Sequence, residues 1–220
     1  MIHHHPDTEL LTDYAAGSLA FGKSLCVSVH LESCPHCRVR VRQLDVIGAE
    51  LLENLAPVAP ADDSLQQVLS RINGASVRSI TPVIQRPIEV PGVPRPLAKL
   101  LPQGLESAPW QRVTSQLDTL VLPVGEDRNQ VALIRMKPGG TVGEHRHAGE
   151  ELTVVLKGGF SDHGGVFKAG DFVRLGCGNP HQPIAHQNED CICLAVQDGP
   201  IQFTGFWSRL MNPFVRIHPA

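Results

Sequence analysis

Apolar residues recur at helical spacing through the first quarter of the chain and in short strand-like runs through its second half. Leu10, Leu11, Tyr14 and Leu19 follow a helical period, and Asp7 or Thr8 is placed to cap that helix. A second helical stretch runs from Gly22 towards Cys34, where Pro35 interrupts it. A third begins near Cys37, with Val41, Leu44, Ile47, Leu51 and Leu55 on one apolar stripe. Beyond the break at "PVAPADDS", the segment "SLQQVLSRI" predicts one more short helix, capped by Ser64.

The texture then changes twice. "TPVIQRPIEVPGVPRPLAKLLPQG" is rich in proline, lacks a helical period and reads as an extended linker, parts of it able to lie along a sheet edge. From about Trp110 the runs "TLVLPV", "VALIRM", "LTVVLKG", "FVRLG", "CICLAV" and "IQFTGFW" alternate with Gly, Asp and Asn, the spacing of an all-β barrel or sandwich. The expected organisation is α+β and multidomain: a small helical bundle over residues 1–80, a Pro-rich linker over 81–104, a β domain over 105–200 and a C-terminal extension over 201–220. A length of 220 residues suits two domains.

Charge narrows the function. The formal net charge is −3, with 6 basic against 9 acidic residues up to position 80 and 13 against 13 after it. Neither half carries the basic excess that binding a phosphate backbone demands, so direct nucleic-acid contact is not expected. No apolar run approaches the roughly 20 residues of a bilayer span. The start "MIHHHPD" lacks the basic-then-apolar order of a signal peptide. A cytoplasmic protein is expected, and its 6 cysteines then read as ligands, redox groups or buried thiols rather than a disulfide framework.

The densest chemistry is "HLESCPHC", which holds His30, Cys34 and Cys37. Residues four apart on a helix share a face, so His30 and Cys34 reach one ion together, and Pro35 turns the chain so that Cys37 returns to it. Mixed imidazole and thiolate donors suit a closed, tetrahedral zinc site, which adds directly to the folding free energy of a thin domain. Cys26 is a poor fourth ligand, because eight helical residues separate it from Cys34 by about 12 Å. It reads as a core residue, and His36 points elsewhere. His3, His4 and His5, ahead of the first helix, remain as candidates that would staple that helix to the other two.

A second constellation lies in "GGTVGEHRHAGEELTVVLKG". His145 and His147 are two apart and face the same way on a strand, Glu151 follows after a turn, and His181 comes later in "GDFVRLGCGNPHQP". Three imidazoles and a carboxylate on adjacent strands can converge on one divalent ion. The pattern Gly139-x5-His145-x-His147-x3-Glu151-x6-Gly158 resembles the first cupin motif throughout. Gly170-x5-Gly176-x-Gly178-x2-His181 resembles the second, with Gly176 where proline is usual and Ala185 where asparagine is usual. Both departures fall on turn positions rather than ligands. The resemblance implies a cupin barrel over about residues 105–200.

A cupin preceded by a helical domain with His-x3-Cys-x2-Cys resembles the ChrR-like anti-sigma factors, as does the opening "HHPDTELLTDYAAGSL". That resemblance implies His5 as the fourth zinc ligand beside His30, Cys34 and Cys37. It further implies zinc at His145, His147, Glu151 and His181, hence two Zn2+ per chain, although ligand type alone admits other metals at the second site. The implied function is to bind and inhibit an extracytoplasmic-function type sigma factor through the helical domain, whose mild acidity complements a basic DNA-binding partner. Release would follow an oxidative signal, singlet oxygen in particular, sensed by the cupin. No catalytic residue is expected under this reading. The alternative is a metal-dependent cupin enzyme of the dioxygenase or isomerase class with an accessory zinc domain. Cys177, Cys191 and Cys193 are expected to be buried. Cys191 and Cys193 share a strand face about 6.5–7 Å apart, at the edge of disulfide reach.

Overall fold

The computed structural model describes residues 1–74, 88–124 and 129–203. Four helices come first: α1 (Thr8–Ala15), α2 (Phe21–Ser33), α3 (Pro35–Glu53) and α4 (Ser64–Gly74). Asp7 caps α1, its Oδ1 accepting from the Leu10 amide at 2.8 Å. Between α2 and α3 a single residue, Cys34, serves as the cap of both. Its extended backbone is the conformation that a following proline favours, and Pro35 opens α3 at the position where a missing N–H goes unmissed. The proline therefore starts the third helix two residues earlier than Cys37. At α4 the capping position falls to Asp63, whose carbonyl accepts from the Gln67 amide, and Ser64 is the first helical residue.

Eleven strands follow among the described residues: β1 (Gln111–Arg112), β2 (Leu117–Val121), β3 (Gln130–Met136), β4 (His145–His147), β5 (Glu151–Lys157), β6 (Gly159–Asp162), β7 (Gly165–Lys168), β8 (Phe172–Leu175), β9 (Ile184–Ala185), β10 (Cys191–Gln197) and β11 (Ile201–Phe203). A six-stranded sheet runs β1-β2-β3-β10-β5-β8, accompanied by a three-stranded sheet β7-β6-β9 and the pair β11-β4. Single bridges, Thr141 to Ile184 and His145 to His181, connect the smaller pieces. The pairings within these sheets are antiparallel.

Strand β10 is buried at every residue because both faces of its sheet are covered. Alternation sends Ile192, Leu194 and Val196 to one apolar cluster and Cys191 and Cys193 to another. The first cluster also holds Leu10, Leu11, Leu25, Val27 and Val29, so the helices and the sheet share one core. Helix α2 lies against β5 and β10. A Cβ on Gly22 would stand 2.8 Å from the Val131 side chain and 3.3 Å from that of Val196, so this approach is open to glycine alone. The second cluster lines the opposite face, under β6 and β7.

The segment expected as an extended linker is packed where it is described. A short 3-10 turn spans Arg95–Leu97. Leu97, Leu101 and Leu105 enter the shared core, and the Trp110 indole donates to the Leu105 carbonyl at 2.8 Å. The prolines suppress a helical period, yet the leucines recur every four residues and are buried. Residues 81–87 of the linker and 204–220 of the C-terminal extension, including most of "IQFTGFW", lie outside the described residues.

Candidate metal centres

The first centre gathers around the single residue between α2 and α3. His30 comes from the last turn of α2, Cys34 from the junction, Cys37 from the first turn of α3, and His5 from the segment before α1. Their ligand atoms all lie within 4.8 Å of one another. His5 Nδ1 is 3.3 Å from Cys34 Sγ and 3.4 Å from Cys37 Sγ, and His30 Nε2 is 3.3 Å from Cys37 Sγ. A tetrahedron with zinc bonds of about 2.0–2.3 Å has edges of about 3.3–3.8 Å, so these three donor pairs stand at ligand spacing.

Surrounding groups aim these donors. His30 Nδ1 donates to the Gly170 carbonyl at 2.8 Å, which leaves the Nε2 lone pair turned towards the thiols. Gly170 has φ +93°, and Ile2 packs where its Cβ would be. The amides of His3 and His4 donate to Asp171 Oδ1 at 2.7 and 3.0 Å, and the His4 carbonyl accepts from Phe172. The arm carrying His5 is thus laid along the start of β8. His3 and His4 serve through their backbones, and the His4 ring lies 4.6 Å from that of Phe167, tilted by 55°. The His36 ring lies 5.2 Å from that of His5, outside the donor cluster, and Cys26 is a fully buried core residue. Burial lowers His30 to about 4 and pushes the Cys37 thiol up to about 12, so without a cation this pocket prefers neutral donors. A coordinated metal ion reverses that preference for the thiol.

The second centre is built on β4 and β5 and the turn that follows β8. His145, His147, Glu151 and His181 are all buried. His181 Nε2 lies 2.9 Å from His145 Nε2 and 3.0 Å from His147 Nε2. Glu151 Oε2 stands 2.7 Å from His147 Nε2 and 3.7 Å from His181 Nε2, yet is aligned for a hydrogen bond to neither. The three imidazoles form one group of ligand atoms within 4.8 Å, and the carboxylate reaches that group from the His147 side.

Back-side contacts again orient the rings. His145 Nδ1 donates to the Gly143 carbonyl at 2.8 Å, and His181 Nδ1 stands 3.4 Å from Asp162 Oδ2. Glu151 Oε1 accepts from Thr153 and Gln197. Burial and the neighbouring His181 lower His145 to about 4. Burial alone would raise Glu151, but contacts with His147, His181 and Gln197 hold it near 2. Imidazole nitrogens crowded nose to nose beside an ionised carboxylate are donor types that suit a divalent cation.

Ion pairs join the two centres. Arg174 on β8 binds Asp7 Oδ2 at 2.6 Å and Glu150 Oε1 at 2.6 Å, while Lys23 on α2 binds Glu150 Oε2 and Asp198 Oδ2, each at 2.7 Å. Glu150 is the neighbour of Glu151, and Asp7 lies two residues from His5. Sequence reasoning missed these partners, and missed Asp162 and Asp171; it found Gly170 only as a motif glycine, not as the acceptor for His30. They carry no local signature, beyond the paired acids of "GEE" that leave one carboxylate free of the metal. Of the remaining thiols, Cys191 and Cys193 are buried with sulfurs 3.7 Å apart and unbonded. Cys177 departs from expectation: it is exposed, in a turn where its thiol donates to the Ala148 carbonyl at 3.1 Å.

The ChrR cupin-like domain family matches residues 103–202. The anti-sigma-E factor ChrR of Cereibacter sphaeroides is 38% identical over 221 residues, spanning 98% of this chain and 99% of the relative. The chain belongs to the ChrR family of anti-sigma factors. A crystal structure of Rhodobacter sphaeroides SigE in complex with the anti-sigma ChrR covers 90% of this chain and 100% of the matched chain at 37% identity, with a TM-score of 0.76. This bears out the helices-then-cupin architecture and a regulatory rather than enzymatic role. Among the described residues no helix is long and apolar enough to cross a membrane.

Proposed function

We propose that the chain holds an extracytoplasmic-function type sigma factor away from RNA polymerase, gripping it with the outer faces of α3 and α4, in the cytoplasm. One observation carries the location of that grip. Ile47, Leu51 and Leu52 at the end of α3, Leu55 just past it, and Leu65, Val68 and Ile72 on α4, are more than half exposed. So many exposed apolar side chains on two helices, one of which buries no residue of its own, need a partner to cover them, and helices laid across an apolar face are a recurrent mode of capture.

The two donor sets would each hold a zinc ion. Cys34, Cys37, His5 and His30 would offer two thiolates and two imidazoles, the donor set of a closed structural zinc site. His145, His147, Glu151 and His181 would hold the second ion, which supplies a Lewis-acidic centre able to take a further ligand. The chain's own residues then divide the work. Residues 1–80 act as the sigma-binding unit, 81–104 as the connection and 105–200 as the sensory unit, with 201–220 as an extension. An oxidative signal acting at the cupin site would reach α1 and α2 through Glu150, Arg174 and Lys23.

Co-expression of the full chain with its candidate sigma factor tests this reading. The expected result is a 1:1 complex that no longer supports transcription, with two zinc ions per anti-sigma chain by elemental analysis. A zinc-loaded chain that leaves every sigma factor of its own cell unbound and active would sink the proposal.

A further inference from the structure

Between the six-stranded sheet and the smaller strands lies a chamber of about 250 Å³ that ends on the second donor set. Ile134, Met136, Phe160, Val173 and Leu175 wall it, and His145, His181 and Glu151 form its floor. Val113, exposed to solvent, also lines it, so the chamber opens to the outside.

Its polar groups are already committed. The Thr119 hydroxyl donates to the Leu133 carbonyl, and Thr153 and Gln197 both donate to Glu151 Oε1. No lysine or arginine lines it among the described residues. A guest therefore finds apolar walls and, at one end, the metal position.

We propose that this chamber binds a compact monocarboxylate, its apolar body against Ile134, Phe160 and Val173 and its carboxylate at the metal held by the three histidines and Glu151. The inference rests on the metal assignment made above. Charge selects the head group. A divalent ion with one carboxylate and three neutral imidazoles leaves a net charge of +1, which a monoanion cancels. A neutral guest leaves that charge in an apolar chamber, and a dianion overshoots it, and unpaired charge is costly in such surroundings. Size selects the body: an apolar cavity of about 150 Å³ holds benzene, so this one suits a guest of about nine to twelve non-hydrogen atoms. Among the described lining residues the titratable group outside the ligand set is the Cys193 thiol, which Cys191 and burial push up and so keep protonated. This makes the chamber a receptor for the guest rather than a site that transforms it.

Isothermal titration of the full, zinc-loaded chain with sodium benzoate tests the proposal, with benzyl phosphate and toluene as comparison probes and metal content measured on the same samples. The expected result is saturable 1:1 binding of benzoate, at least tenfold tighter than either comparison probe. Ile134→Trp, which grows into the chamber from a half-buried position, is expected to weaken benzoate at least tenfold while both metal ions stay bound. Two bound metal ions with no benzoate affinity, or with benzoate no tighter than toluene, overturn this inference alone. A chain that holds only the ion of the first centre overturns it together with the metal assignment.

Discussion

Helices α2 and α3 are joined through one residue, and both are rich in leucine and valine, yet the fold treats them oppositely. The 13-residue α2 buries Gly22, Leu25, Cys26, Val27, Val29 and His30, whereas the 19-residue α3 fully buries only Cys37. Val41 and Leu44 of α3 are partly covered by the core, and beyond them Ile47, Leu51 and Leu55 emerge into solvent. The cupin sheet accounts for the difference, since it covers α2 and stops short of α3. One helix is committed to the molecule's own core, and the other leaves most of its apolar side chains in solvent. The one fully buried side chain of α3 is Cys37, in its first turn and within the first donor set.

Removing that thiol has the largest expected effect. Cys37→Ser should abolish the first centre, lowering metal content from two ions to one, and release α3 from α2. The free energy of a structural zinc site is about 10 kcal/mol or more in small domains, so no surviving packing of α3 compensates for its loss. Sigma capture should vanish while the second ion remains, as elemental analysis and co-purification would report. Undiminished capture by a one-zinc variant would mean that the core, not the metal, holds α3.

Next in size is the exposed end of α3. Leu51 and Leu55 are 68% and 67% exposed, so Leu51→Asp with Leu55→Asp should leave stability within about 0.5 kcal/mol of the parent. If they stand at the centre of the sigma interface, affinity should fall by about 2–4 kcal/mol, a loss of at least 30-fold in titration. Unchanged affinity would move the interface off this face.

Most of both donor sets was legible in the sequence because their spacing is local. His-x3-Cys-x2-Cys follows from one helix turn and one proline, and His-x-His-x3-Glu from one strand and one tight turn. His5 needed more: three adjacent histidines were equally placed by spacing, and only the family likeness separated them. The structure supplies the physical reason, since the amides of His3 and His4 are tied to Asp171, which turns the next side chain towards the thiols. What joins the halves was not legible. Arg174 meets Asp7 across 167 positions, and nothing local distinguishes that arginine from a solvated one. The hairpin of β6 and β7 was also passed over, because "GFSD" and "GVFK" are too short and too glycine-rich to show alternation. In the proline-rich segment, the prolines hid four-residue leucine spacing that the core uses.

The seam between the halves gives a third test, aimed at α2. Gly22→Val places side-chain atoms within the space of Val131 and Val196, and overpacking of this kind costs about 1–3 kcal/mol. For a chain of this size that is about 2–4 °C in melting temperature per kcal/mol. Calorimetry should show the decrease with two metal ions still bound and sigma affinity within twofold, because α3 and α4 are not involved. A variant that melts with the parent would mean that α2 rides loosely on the sheet.

The smallest expected effect lies wholly inside the sheet and serves as the control for the other three. Asp118 on β2 accepts from Arg135 Nε at 3.0 Å and Nη2 at 2.6 Å, and Arg135 stacks on Trp110 with its guanidinium 4.5 Å from the ring centre. The Arg135 hydrogen bonds outweigh burial and hold the Asp118 carboxyl below its ordinary range. A depressed carboxylate stabilises the folded state above its unfolded pKa, and that contribution is lost as pH falls through the lower, folded value. Asp118→Asn keeps an acceptor for Arg135 but loses the charge, and should therefore cost about 1 kcal/mol at pH 7, the scale of one net hydrogen bond. Urea titrations at pH 7 and at steps below pH 4 should show the gap between parent and variant closing as the pH drops. Sigma capture should not change at either end of that series, because the pair touches neither α3 nor α4. A loss of capture here would mean that damage to the sheet reaches the partner face by itself, and the contrast between the committed helix and the free one would lose its meaning.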